Sequence, residues 1–296
     1  MGALDEFQAA MKQVAERATP AVVGIGGRWV RGSGLVIGKD RVLTNAHNVH
    51  GDGATVVFAG DRRERGKLLA ADFDGDLAVL DVPTGDAPAA EWGTATPEVG
   101  GVVFAVAKAA HGGARITFGF VSGRERAFRG PGGRLIGGSV EHTAPLAPGS
   151  SGSGIFDGEG RLIGLNTQRV GEGFYLAIPA DAELRSRVDA LARGEETVRP
   201  RLGVAVAPGH VARHLRRAVG LPDRDGVLVR GVEEGSPAEA AGIHEGDLIV
   251  SAGGSGIGDP DALFAALSRA AGGDVEIGLV RGVEELTVKA NLAAAK

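Results

Sequence analysis

The chain has 296 residues, 43% hydrophobic and 23% charged, a globular balance that excludes wholesale disorder. Its 50 glycines and 13 prolines follow no Gly-X-Y period, so they point to many tight turns between short strands. A formal charge of -5 argues against a nucleic-acid partner, and zero cysteines exclude thiol nucleophiles, disulfides and cysteine-ligated zinc.

Residues 3–18 carry Leu4, Phe7, Met11, Val14 and Ala18 near helical spacing and stop before Pro20, which predicts an amphipathic helix. The same stretch has acids where a secretory signal wants Lys or Arg, and it lacks an apolar run. The expected location is cytoplasmic if the chain is complete as it stands. It is extracytoplasmic, in the cell envelope, if a leader or anchor was removed. No stretch approaches 18 apolar residues, so no membrane span is expected.

From Ala21 short β-like runs punctuated by glycine follow one another: AVVGIGG, GLVIG, RVLTN, ATVVFAG, LAVLDV, VVFAVAK, RITFGFVSG, RLIGLNT and FYLAIP. Their length and spacing predict a mostly β antiparallel barrel or sandwich. ADAELRSRVDALAR, residues 180–193, reads as a helix with Asp181 as N-cap and Gly194 just past its end. The charged GEETVRP at 194–200 is the natural linker. Beyond it a second unit carries its own strands and two helices. Ser236-Pro237-Ala238-Glu239 is a capping box, and Asp259-Pro260 opens the helix DALFAALSRAA. Two domains are expected, 1–195 and 196–296.

Three segments carry chemistry. TNAHNV puts His47 at a strand end, DFDGDLAVL puts Asp76 just before an apolar strand, and APGSSGSGIFD puts Ser151 in a glycine-rich loop. Taken singly, a strand-end histidine is more often structural, DFDGD is an acidic turn and GSSGSG is a flexible loop. Together they have the residue types and the His, Asp, Ser order of a chymotrypsin-type triad. A serine hydroxyl needs a base to take its proton, and imidazole is that base. A carboxylate on the other ring nitrogen fixes the tautomer and stabilises the imidazolium that forms. Glycines at 149 and 152 let the backbone turn so that the Gly149 and Ser151 amides converge on a developing oxyanion.

TNAHNV, DLAVL and PGSSGSGIFD-GRLIGLNT resemble the three catalytic blocks of the HtrA (high-temperature-requirement A) family of trypsin-like serine proteases. ATPAVVGI at 18–25, GSGLVI at 32–37 and LAIP at 176–179 resemble other stretches of the same domain. RLGV at 201–204, GVLVRGVEEGSPAEAAGIHEGDLIVSAGG at 226–254 and the DALFAAL helix resemble that family's PDZ domain. The resemblance implies a chymotrypsin-like double β-barrel followed by an α+β PDZ domain. It implies His47, Asp76 and Ser151 as the triad, with Gly149, Ser150 and Ser151 lining the oxyanion hole. Ser150, Ser153 and Gly154 stand where the family has Asn, Gly and Pro, while Gly149, Ser151 and Gly152 match its pattern. Tyr175 replaces a glycine ahead of Leu176-Ala177-Ile178-Pro179, so Tyr175 is expected to narrow the substrate pocket, with Leu176 also among the pocket residues. The family's trimers use N-terminal aromatics. A homo-oligomer is therefore implied, although Phe7 is the one aromatic before the first strand.

Pro145, Leu146 and Ala147 precede the oxyanion loop and are expected to wall the pocket for the residue before the cut. With no acid among them, a medium aliphatic residue fits better than Lys or Arg. In the second unit, a strand edge after Arg201-Leu202-Gly203-Val204 can accept an extended peptide while successive loop amides hold its terminal carboxylate. Arg201 either assists that carboxylate or is simply solvated. Leu263 and Leu267, four apart, either line a pocket for the last side chain or are ordinary core leucines.

DFDGD fails as a calcium loop because Leu77 and Pro83 occupy the places that need glycine and an acid. His210 and His214 lack an intervening glutamate. No cofactor and no metal are implied. The expected function is ATP-independent serine endopeptidase action on unfolded or damaged proteins, regulated by C-terminal peptides at the PDZ domain. The alternative is a peptide-binding or chaperone-like module whose protease site is latent.

Overall fold

Runs such as LAVLDV are apolar at successive positions, so a strand built from them needs cover on both faces. The computed structural model describes residues 2–27, 30–94, 96–108, 113–130, 135–195, 201–270 and 273–292. The chain divides into two compact units, Met1–Thr197 and Val198–Lys296. Residues 196–200 of the expected linker lie outside the described residues.

In the first unit, helix α1 (Ala3–Ala18) precedes strands β1 (Val22–Gly26), β2 (Val30–Gly38), β3 (Arg41–Thr44), β4 (Gly53–Val57), β5 (Arg63–Asp72) and β6 (Leu77–Asp81). These close into a barrel in the order β1-β2-β3-β6-β5-β4. A second barrel follows from β7 (Val102–Lys108), β8 (Ala114–Arg129), β9 (Leu135–His142), β10 (Gly154–Phe156), β11 (Leu162–Gly171) and β12 (Phe174–Pro179), in the order β10-β11-β12-β9-β8-β7. The choice left open between barrel and sandwich thus falls to two closed barrels, which leave no strand edge unpaired.

Strand alternation sends neighbouring side chains to opposite faces, and both faces are buried. Val36, Val42, Val56 and Leu80 form one cluster of the first barrel. Their neighbours Leu35, Leu43 and Val79 join Phe104, Phe156 and Leu165 of the second barrel in a shared core. Helix α2 (Ala182–Ala192) closes this core with Leu184, Val188 and Leu191, one stripe at helical spacing. Each such side chain contributes about 1.5–3 kcal/mol by leaving water. Asp181 caps α2 by accepting from the Leu184 amide at 2.9 Å.

The strands of the second unit are β13 (Val204–Ala207), β14 (Val227–Val232), β15 (Leu248–Ala252), β16 (Ser255–Gly256), β17 (Asp274–Arg281) and β18 (Glu284–Asn291). They form a sheet in the order β13-β14-β15-β17-β18, with the short β16 beside β15. Among the described residues three helices accompany them, α3 (Gly209–Ala218), α4 (Pro237–Ala240) and α5 (Pro260–Arg269), where the sequence suggested two. The additional one is α3. Its polar majority hides a narrow apolar stripe, Val211, Ala212 and Leu215, which packs on Leu228, Leu248 and Val280. Asp247 is buried in a two-point ion pair with Arg281, at 2.8 Å from both Nε and a terminal nitrogen. Among the described residues no helix is long and apolar enough to cross a membrane.

Candidate active site

Antiparallel pairing of β3 with β6 sets Thr44 opposite Ala78, so the end of one strand lies beside the start of the other. That places His47, in a single helical turn after β3, next to Asp76, just before β6. His47 Nδ1 is 3.0 and 2.9 Å from the two Asp76 carboxylate oxygens, and the His47 amide donates to the same carboxylate at 3.1 Å. A ring nitrogen facing two carboxylate oxygens carries its proton, which leaves Nε2 as the basic nitrogen. The Asp76 side chain is 2% exposed and that of His47 36%. Asp76 adopts a left-handed backbone (φ +54°), and buried Asn45 holds that bend by donating to the Asp76 carbonyl at 3.0 Å. Asp is one of the few residues that tolerate this region.

Ser151 comes from the second barrel, in the loop between β9 and β10. Its carbonyl accepts from the Ser33 amide at 2.7 Å and from Asn48 Nδ2 at 2.9 Å, so the first barrel grips the loop backbone. Gly152, at φ +84°, has no room for a side chain. A Cβ there would sit 2.2 Å from the Ser33 carbonyl oxygen and 2.6 Å from Thr44 Oγ1. The Ser151 hydroxyl donates to the Thr167 carbonyl at 3.1 Å. Thr167 also donates its own hydroxyl to Asp76 at 2.9 Å. One residue of β11 therefore touches both the carboxylate and the serine. Thr167 closes the GRLIGLNT stretch of the serine block, but the sequence assigned it no role of its own, since a strand threonine looks like any other β-former.

Among the described residues the Gly149 and Ser151 amides have no internal acceptor, whereas the Ser150 amide donates to the Ala147 carbonyl at 3.2 Å. Of the three residues expected at an oxyanion hole, two present free donors, and Ser150 is spent on the turn. A recess of about 150 Å³ adjoins them, lined by Leu146, Ala147, Pro148, Thr167, Arg169 and Tyr175 among others. Pro145 lies outside it, exposed, with its carbonyl accepting from Thr117 Oγ1 at 2.7 Å. Leu176 also lies outside it. Strand alternation turns Leu176 away from Tyr175, into the barrel.

Beneath the recess, Tyr175 stacks on His142 and donates to the Leu146 carbonyl at 3.3 Å. Buried His142 has Nε2 2.8 Å from Asn166 Oδ1, while its Nδ1 accepts from the Ala144 amide at 3.2 Å. Burial holds the His142 imidazole below its ordinary pKa, against the opposing pull of the Asn166 hydrogen bond.

In the second unit, Arg201 is exposed and pairs with Glu233 at 3.2 Å. Leu202, Leu263 and Leu267 are all buried in one core cluster, against which half-buried Val204 packs. Gly203 has φ +79°, and a Cβ there would meet Ser236 at 2.2 Å. β13 pairs with β14 alone among the described strands, so its outer edge faces no partner.

Residues 32–165 match the trypsin-like peptidase domain family, and residues 200–292 match the PDZ domain family. The serine protease HhoA of Synechocystis sp. is 32% identical over 279 residues, covering 89% of this chain and 70% of that protein. The chain belongs to the HtrA family. A DegP-like periplasmic serine endoprotease of Hahella chejuensis is 33% identical over 267 residues, covering 87% of this chain and 55% of the relative. The chain thus spans about half the length of several curated relatives it matches. Among solved structures, an HtrA-type protease AlgW with decapeptide superposes with a TM-score of 0.75 at 23% identity, covering 95% of this chain and 97% of that one. The serine endoprotease from Yersinia pestis gives 0.71 at 25%, covering 95% and 96%. The HtrA architecture, mostly β with a trypsin-like domain and a PDZ domain, is the fold of this chain.

Proposed function

We propose that this HtrA-family chain is a serine endopeptidase that cuts unfolded or damaged polypeptides through His47, Asp76 and Ser151. The observation that carries the reading is the His47–Asp76 contact at 2.9 Å beside a nucleophile loop with two unspent amides. His47 Nε2 takes the Ser151 proton, Asp76 steadies the imidazolium, and the Gly149 and Ser151 amides receive the oxyanion. Each such donor is worth about 2.7–4 kcal/mol in the transition state. The 150 Å³ recess takes the side chain before the cut, and its Leu146, Ala147 and Tyr175 lining suits a medium aliphatic group. No cofactor takes part. The PDZ unit receives peptides by their free C-terminus, with β13 as the docking edge and the 201–204 loop as the carboxylate nest. The periplasmic naming of relatives supports work outside the cytoplasm.

A latent resting site also has an observation behind it. The Ser151 hydroxyl donates to the Thr167 carbonyl, and among the described residues no hydrogen bond joins it to His47, so it must leave Thr167 before attack. One experiment addresses both readings: fluorophosphonate labelling of the full chain, with Ser151→Ala as control, alone and with a hydrophobic peptide bearing a free or an amidated C-terminus. Labelling of Ser151 that rises with the free-acid peptide supports the whole proposal. Labelling that ignores the peptide removes the regulation. Absence of labelling in every state refutes the endopeptidase.

A further inference from the structure

Ser151 lies between two recesses of different character. The first is the 150 Å³ recess beside the oxyanion loop, which His47 does not line. The second, of about 460 Å³, is lined by His47 and Ser151 themselves and by Arg31, His50, Thr55 and Arg65. No carboxylate is among its lining residues. Arg65 is balanced by Asp52 at 2.6 Å. Exposed Arg31 has no ion-pair or hydrogen-bond partner among the described residues, so its charge is available.

Chemistry assigns the direction. In a triad the imidazole that accepts the serine proton returns it to the departing amine, so the segment after the cut leaves on the histidine side. Only the second recess holds both His47 and Ser151. We propose that it receives the two residues following the scissile bond and selects acidic ones, with Arg31 as the selecting cation. The inference rests on the triad reading above and adds a substrate class to it: polypeptides with Asp or Glu immediately after the cut. The net charge of -5 opposes such substrates globally, so any preference for them is local to this recess.

An exposed ion pair gives a factor of up to about five. The test uses peptides with one common sequence before the cut and Glu, Gln or Lys at the two positions after it. The expected kcat/KM in the parent protein is about three- to fivefold higher for Glu than for Gln, and lowest for Lys. Arg31→Gln should bring the Glu-to-Gln ratio to about one, and Arg31→Glu should reverse the order to favour Lys. Ratios taken within one variant cancel any shared loss of folded protein. Raising the salt should compress the parent's preference. A Glu-to-Gln ratio near one in the parent, or a preference that survives Arg31→Glu, overturns the inference and leaves the triad standing. Failure of the triad reading looks different: no peptide is cut, Ser151 takes no fluorophosphonate, and both proposals fall.

Discussion

Thr167 is the position where a one-atom change is most informative. Thr167→Val swaps a hydroxyl for a methyl at nearly constant volume and leaves in place the backbone carbonyl that accepts from Ser151. What disappears is the 2.9 Å donation to Asp76, a carboxylate shut away from water. A hydrogen bond to a charged group contributes about 1.5–3 kcal/mol. The carboxylate keeps its amide and ring donors from His47, so the cost stays below the 3–5 kcal/mol or so of an orphaned buried charge. In a unit of this size each kcal/mol moves Tm by about 2–4 °C, so the variant should melt roughly 3–12 °C lower. Looser support of the imidazole should also reduce kcat/KM about tenfold, equivalent to ~1.4 kcal/mol. Tryptophan fluorescence is a suitable probe, because Trp29 and Trp92 both belong to the first unit. Thr167→Ser should restore most of both losses. In an Asp76→Asn background the same Val substitution should cost less than half as much, because the acceptor is then neutral. An unchanged Tm and kcat/KM, or an equal cost in both backgrounds, would refute the coupling of Thr167 to the carboxylate.

Two further outcomes follow from buried titratable groups. His142 has a depressed folded pKa, so the unfolded chain binds the extra proton first. Stability of the first unit should therefore fall as pH drops below the ordinary value of about 6.5, and His142→Gln should flatten that limb of a Tm-against-pH curve; equal slopes in the two proteins would remove His142 as its source. Burial alone would raise the Asp247 pKa, but the Arg281 hydrogen bonds and the His244 amide outweigh it and hold it low. Arg281→Met should thus destabilise the second unit near neutral pH, by less than a fully buried pair would lose because Arg281 is partly exposed. The penalty should shrink as acid protonates Asp247, and calorimetric melting of the second transition at neutral and acid pH checks both statements.

Much of this was legible in the sequence because the informative residues are punctuated. Asp181 and Ser236 announce their helices by capping, and in the structure each accepts from the amide three residues on. The histidine, aspartate and serine segments stand out because each sets a polar group at a strand end or in a glycine-rich loop beside an apolar strand. What stayed hidden has physical causes. α3 was missed because its apolar stripe is narrow and its other faces are cationic. Leu176 was assigned with Tyr175 because adjacency in sequence says nothing of which strand face a side chain takes. Thr167 and Asn48 lie inside the quoted GRLIGLNT and TNAHNV segments, yet their roles stayed hidden because they act through the partners the fold brings to them. The three potential oxyanion residues were separable only by following backbone hydrogen bonds, since the turn that consumes the Ser150 amide is a property of φ and ψ.

The arrangement of fixed and free groups around Ser151 says where control over this site acts. In the proposed triad the base and the acid come from one barrel and the nucleophile from the other, so the reacting geometry would be a property of how the barrels pack. Ser33 Oγ holds the Gly149 carbonyl at 3.0 Å, the Ser33 amide and Asn48 hold the Ser151 carbonyl, and Thr44 in turn holds the Ser33 carbonyl at 2.7 Å. Net contributions of about 0.5–1.5 kcal/mol each make this set hard to remodel without separating the barrels. The parts outside this set are the Ser151 side chain and the Gly149 and Ser151 amides, which are the parts the proposed chemistry uses. Rotating one serine about χ1 exchanges staggered wells on a fast timescale, whereas rebuilding the loop breaks several bonds at once. On the proposed mechanism rotation would therefore be the cheaper switch, and a peptide or substrate drawing the hydroxyl from Thr167 toward His47 would have one hydrogen bond of 3.1 Å to overcome.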